Sequence, residues 1–323
     1  MRFPFAIALA AALLAGGTAT ALPVSAVAAG GDSARAPAPA SRLQVVSAIE
    51  LDGSPSSMVA AAGSVWVTLG LAGIARIDPA TSTVVARIEP GGAVIELAAG
   101  LGAIWAIDVF SDRLLRIDPA TNAVVGTTQV GGLPAGVAVG FGSVWVTNHV
   151  DRSVTRVDPE TGRVVSTTRL DWAEIWPGAI TAGPGGIWVV TGSGNEVTRI
   201  NPRTAKVDFT LPVGGARSLT TVGDVIWVGL AHESRLMRID QSGVKLVRVH
   251  GPRANGYGPE LAGDDVLWHA VPGSVGRLVP PARLRLSPQN HVSAIATAAG
   301  DVWVAEQDAE RVLRIRVRAE DRR

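Results

Sequence analysis

Cysteine is absent from the 323-residue chain. That removes disulfides, thiolate metal sites, a cysteine nucleophile and any lipid-modified cysteine. A surplus of charge is missing too: 29 Lys and Arg against 28 Asp and Glu leave a formal net charge of +1. No overall field therefore exists to hold nucleic acid or an anionic membrane. Tyrosine occurs once and phenylalanine five times, against nine tryptophans. No GxSxG, HExxH, P-loop or EF-hand pattern stands in a usable context, and glycines such as Gly100 and Gly102 read as hairpin glycines with no following helix. Hydrophobic residues make up 47% and charged ones 18%, which excludes a disordered chain and permits a large core. The abundance of Gly (37) and Pro (20) suits an all-β chain with many turns.

The long apolar run lies at the start. Arg2 precedes the stretch Phe3 to Gly17, and small-x-small sites follow at Ala19-Thr20-Ala21 and Ala26-Val27-Ala28. Charge, apolar core and small-residue cleavage site are the parts of a secretory signal peptide, here residues 1–29. The alternative is an uncleaved anchor, but the run is short for a span of about 20 residues, with Pro4 and Pro23 at its edges. Residues 30–41 (GGDSARAPAPAS from Gly30) read as a flexible linker, and residues 319–323 as a charged tail. The expected mature chain has no transmembrane span and is secreted, or resides in the periplasm or cell envelope.

A repeat organises residues 42–318. Seven tryptophans, Trp66, Trp105, Trp145, Trp188, Trp227, Trp268 and Trp303, follow at gaps of 39, 40, 43, 39, 41 and 35 residues. Nine to eleven residues after each comes an arginine: Arg76, Arg116, Arg156, Arg199, Arg238, Arg277 and Arg314. In the clearest copies that arginine opens RIDPAT, RVDPET or RINPRT, where proline presets φ and Asp bonds back to the backbone. A period of about 40 residues is that of a four-stranded propeller blade. In the third copy, Gly136–Val139, Val144–Val146, Val154–Val157 and Val164–Thr167 read as the four strands. The fold class is thus all-β, a seven-bladed β-propeller with four antiparallel strands per blade. Arg42 to Ile49 looks like an outer strand before the first tryptophan, whereas the chain stops after a third strand near Val317. Pairing the two closes the last blade. Each tryptophan is read as the filler of a wedge between blades, contributing on the order of 2–3 kcal/mol by burial. Each arginine is expected over the indole or on a turn carbonyl.

Function should lie in departures from the repeat at one channel mouth, where the fourth-to-first and second-to-third strand loops converge. Three residues past the tryptophans stand Asp108, Asn148 and Glu306; near the starts of the first strands stand Arg217, Glu260 and His291. Trp172 and Trp176 are off-repeat and suited to stacking on a ring-bearing ligand. Asp108, Asn148, Trp172, Trp176, Arg217 and Glu260 are therefore the candidate ligand-binding residues. His291 and Glu306 should meet at one mouth, as a proton acceptor and a ligand for a hard cation. The alternative is that a wet channel simply has a polar rim.

The repeat WVTNHVDRSVTRVDPETGRVV, Trp145 to Val165, resembles the YVTN-type and streptogramin (virginiamycin B) lyase-like seven-bladed propellers, over essentially Arg42 to Val317. That family implies metal-assisted elimination opening a cyclic depsipeptide, with His291 as catalytic base, Glu306 as metal ligand and Mg2+ as cofactor. The carry-over is incomplete. Gln289 stands where the resemblance implies a second carboxylate ligand, an ungapped count back from Trp303 puts Ser293 at the histidine position, and Pro259-Glu260 replaces Pro-His. The sequence thus favours an exported, non-catalytic propeller, without a cofactor, that binds a protein, peptide or envelope ligand at the channel mouth. A Mg2+-dependent lyase is the alternative, and no nucleic-acid partner is expected.

Overall fold

Four short β-branched runs separated by tight turns leave the chain no length for helix, and blade 3 shows the outcome. Its strands are Pro134–Gly140, Ser143–Asn148, Ser153–Val157 and Val164–Arg169. Phe141 and Gly142 turn the first hairpin with φ of 53° and 68°, a left-handed pair that glycine makes inexpensive at the second position. At the next turn but one, Asp158 accepts bonds from the backbone N–H groups of Glu160 and Thr161. These bonds hold its carboxyl below the usual range.

The computed structural model describes residues 41–170, 178–191, 195–231, 235–240, 243–248, 260–263, 266–271, 274–278, 282–287 and 290–319. Among them every regular element is a strand, and no helix is long and apolar enough to cross a membrane. The strands form seven four-stranded antiparallel sheets, six of them in chain order. The seventh runs Val292–Ala298, Asp301–Glu306, Arg311–Ala319 and then Ser41–Glu50. The first strand of the chain is therefore the outer strand of the last blade, paired from Ser41 opposite Ala319 to Glu50 opposite Arg311. The inner strands of neighbouring blades touch all the way round, the last against the first. The sheets close into a ring, and in blade 7 the pairing covers the edge that Arg311–Ala319 would otherwise expose.

The wedges between blades are filled as the repeat implies. Six of the seven repeat tryptophans are buried and Trp227 is partly so. Each guanidinium lies over its blade's indole in blades 1, 2, 3, 4, 6 and 7, from 4.9 Å at Arg76 over Trp66 to 5.8 Å at Arg116 over Trp105. The same arginines reach onward. Arg76 donates to the Pro119 carbonyl at 2.7 Å, Arg116 to Pro159 at 2.9 Å and Arg156 to Pro202 at 2.8 Å, each in the next blade. One side chain thus stacks in its own blade and bonds to its neighbour. Near the axis the blades crowd: a Cβ on Gly140 would meet the Ala182 Cβ at 2.3 Å, which is why the inner strands are built from small residues.

Candidate functional site

Each inner strand begins, and each second strand ends, at the same face of the ring. The layer at the ends of the second strands holds Leu69, Asp108, Asn148, Thr191, Leu230, Val271 and Glu306, every one buried. Asp108 pairs with Arg113, and Glu306 receives the Arg311 Nε at 2.7 Å; each arginine opens the third strand of the same blade. Asn148 donates to the Ser153 and Thr155 hydroxyls at 3.0 and 2.8 Å and accepts the Gly131 N–H at 3.0 Å. Thr191 donates to the Glu196 carbonyl. These four residues, two of them proposed as ligands and one as a metal ligand, stitch the second strand to the third. Within this set of four, Asp108 Oδ1 and Glu306 Oε1 are left buried without a hydrogen-bond partner.

His291 precedes the Val292 that pairs with Glu306, so the structure brings the two to one end of blade 7. Its Nδ1 lies 2.8 Å from Gln307 Oε1, and its backbone N–H donates to Asp308 at 3.0 Å. The ring is thereby fixed to the loop of its own blade. Mg2+ requires several oxygen ligands in octahedral order. Glu306 already faces a guanidinium, and no group of three or more His, Asp or Glu is placed to hold a metal among the described residues. The residues present here do not fit the ion. Gln289, Trp172, Trp176 and Pro259 lie outside the described residues.

The inner strands tell a different story. Their titratable groups, among the described residues, are three: Glu96 in blade 2, Arg217 in blade 5 and Glu260 in blade 6. Everything else on these strands is aliphatic, small or hydroxylated. Glu96 accepts the Ser57 hydroxyl of blade 1 at 2.9 Å, and that hydroxyl accepts the Leu97 N–H at 3.1 Å. Burial outweighs these bonds and pushes the Glu96 carboxyl up to about 7. The Glu260 carboxyl accepts no hydrogen bond from the described residues. Burial, then the nearby charge of Glu96, pushes it up to about 8. The charge of Glu96 in blade 2 thus bears on Glu260 in blade 6. Arg217 does not relieve them: its Nε is buried without a partner, and burial lowers its pKa.

Glu96 was missed by counting, and the structure gives the reason. The count from the repeat puts Ile95 at the rim, but the ladder slips between Val94 and Glu96, which makes Ile95 a bulge residue and aligns Glu96 with Ile107. The same slip occurs at Ala135 in blade 3, Arg217 in blade 5 and Ser293 in blade 7. A charged residue inside the small-residue strand VIELAAG was the available signal. A second feature went unread. The tips of the second-to-third strand loops of blades 1, 2 and 3 carry Leu71, Phe110 and Val150, 69%, 53% and 64% exposed. Each stands five residues after its tryptophan, and the blade 7 equivalent is Asp308.

No family model matches the sequence, and no curated protein matches it. Solved structures do resemble it. One described as a streptogramin B lyase superposes with a TM-score of 0.71 at 17% identity, covering 86% of this chain and 98% of the other. The virginiamycin B lyase from Staphylococcus aureus gives 0.72 at 17%, covering 85% and 99%. The hydrazine synthase of Kuenenia stuttgartiensis gives 0.70 at 13%, covering 84% and 98%. At 13–17% identity the likeness shows the architecture and leaves activity to the site. By fold, the chain is a seven-bladed β-propeller, the architecture it shares with these structures.

Proposed function

We propose that the chain is an exported binding propeller that recognises a protein or peptide at the face formed by its second-to-third strand loops. The observation that carries this is the exposure of Leu71, Phe110 and Val150 at equivalent loop tips of three successive blades. Three large apolar side chains held out on one face, beside the channel mouth, are what a docking surface presents. The lyase alternative finds less support. Its acid ligand would be Glu306, which is buried against Arg311, and its base would be His291, bonded to Gln307. Export rests on the leader-like residues 1–29.

The test is to use the full chain as bait on envelope extract beside a Leu71→Ser, Phe110→Ser, Val150→Ser variant. A partner held by the first and released by the triple variant is expected. Equal capture by both would contradict the assignment of this face, as would Mg2+-dependent opening of a cyclic depsipeptide that is lost in His291→Ala.

A further inference from the structure

The loop face and the channel beneath it differ in character, and together they specify a ligand. The apolar tips Leu71, Phe110 and Val150 lie on the outside. Just below, on the inner strands, lie the two carboxylates Glu96 and Glu260, in a wall otherwise free of negative charge among the described residues. We propose that the mouth takes a polypeptide segment that sends a lysine or arginine side chain between Glu96 and Glu260 while its apolar neighbours rest on Leu71, Phe110 and Val150. This deepens the binding reading and rests on it.

Charge complementarity selects this occupant. Glu260 has no hydrogen-bond donor among the described residues, and Glu96 has the Ser57 hydroxyl and the Leu97 N–H. The group that satisfies both must bring donors and positive charge but need not bring an acceptor. An ammonium offers three donors and a guanidinium five, and neither has an acceptor. A bare divalent cation is a poorer match, because two carboxylates and a hydroxyl fall short of the six to eight oxygens that calcium takes. The long aliphatic stem of lysine or arginine suits a passage walled by Ala, Val and Thr, with the charged head at its end. Arg217, on the inner strand next to that of Glu260, makes no ion pair with it and so leaves the charge available. An anionic lipid headgroup would meet the same carboxylates with repulsion, which argues for peptide over membrane.

The experiment measures fluorescence anisotropy of labelled nonapeptides, with Leu and Phe flanking a central lysine, norleucine or glutamate, on the full chain. The lysine peptide should bind at least about tenfold more tightly than its norleucine twin. Glu260→Gln, and independently Glu96→Gln, should erase most of that preference. Leu71→Ser with Phe110→Ser should instead weaken both peptides alike. Affinity for the lysine peptide should also rise from pH 6 to 8.5, since the cation needs ionised carboxylates. If norleucine binds as well as lysine, or if both Gln variants, folded by circular dichroism, keep the preference, the inference falls while the loop-face reading stands. If no peptide binds and phosphatidylglycerol vesicles do, both fall.

Discussion

A carboxyl group inside a channel is in conflict with its surroundings, and Glu96 and Glu260 show how such a conflict is held. The folded chain keeps them at about 7 and about 8, against 4.5 for each in water. Between those values the folded state carries more protons than the unfolded one, so stability falls as pH rises. The loss begins above the unfolded value, near 4.5, and is complete only above the folded values, near 8. Asp118 and Asp158 act in another window. Backbone hydrogen bonds lower both, so their stabilisation is present at neutral pH and is lost only as acid takes the solution below the ordinary 3.8. Urea midpoints measured from pH 5.5 to 8.5 should therefore decline for the native chain, and Glu260→Gln should remove a large part of that slope. An unchanged slope in the variant would show that the carboxyl is not confined as described. At the same scale, Glu306 shows what the sequence left unread. Its position three residues past Trp303 was legible, but whether its carboxylate faces the channel or the Arg311 guanidinium depends on a cross-strand neighbour that no repeat count reveals.

At the scale of the strand and blade, the sequence is legible because each repeat spends the same residues on the same task. The tryptophan is packed in the wedge, its Nε1–H satisfied by the carbonyl that closes the first hairpin, as Trp66 is by Ala61 at 3.1 Å and Trp105 by Gly100 at 3.1 Å. The arginine then covers the indole and reaches the following blade. Removing the Trp66 indole leaves a cavity in the blade and takes the stacking partner from the Arg76 guanidinium. Trp66→Ala should destabilise the ring by about 3–5 kcal/mol, the usual range for truncating a large buried aromatic. Chemical unfolding followed through the remaining tryptophans measures this, and a loss below about 1 kcal/mol would deny the wedge role. What the period does not convey is the bulge at the head of the inner strand. One slipped residue exchanges the face of everything before it, so a count along the repeat arrives at Ile95 in place of Glu96. Periodicity tells where a strand lies; the bulge decides which side chain enters the channel.

For the whole molecule, the two ends of the sequence determine whether there is a ring at all. Ser41–Glu50 and Arg311–Ala319 pair along nearly their full length, with one slip between Val45 and Ser47. This joint converts seven sheets into a closed ring, and closure sets the channel in which residues of blades 1, 2 and 6 share one space. The pairing could be read from an orphan outer strand at one end and a missing one at the other. The binding face could not, because it consists of departures at loop tips, whose exposure is a property of the assembled ring. The most direct measurement of that face is hydrogen exchange with and without a saturating basic nonapeptide. Protection should gather at residues 69–73, 108–112 and 148–152, with none at the opposite hairpins 61–64, 100–103 and 140–143. Protection at those opposite hairpins, or along the outer strands, with the loop tips unchanged, would contradict a binding site at this mouth.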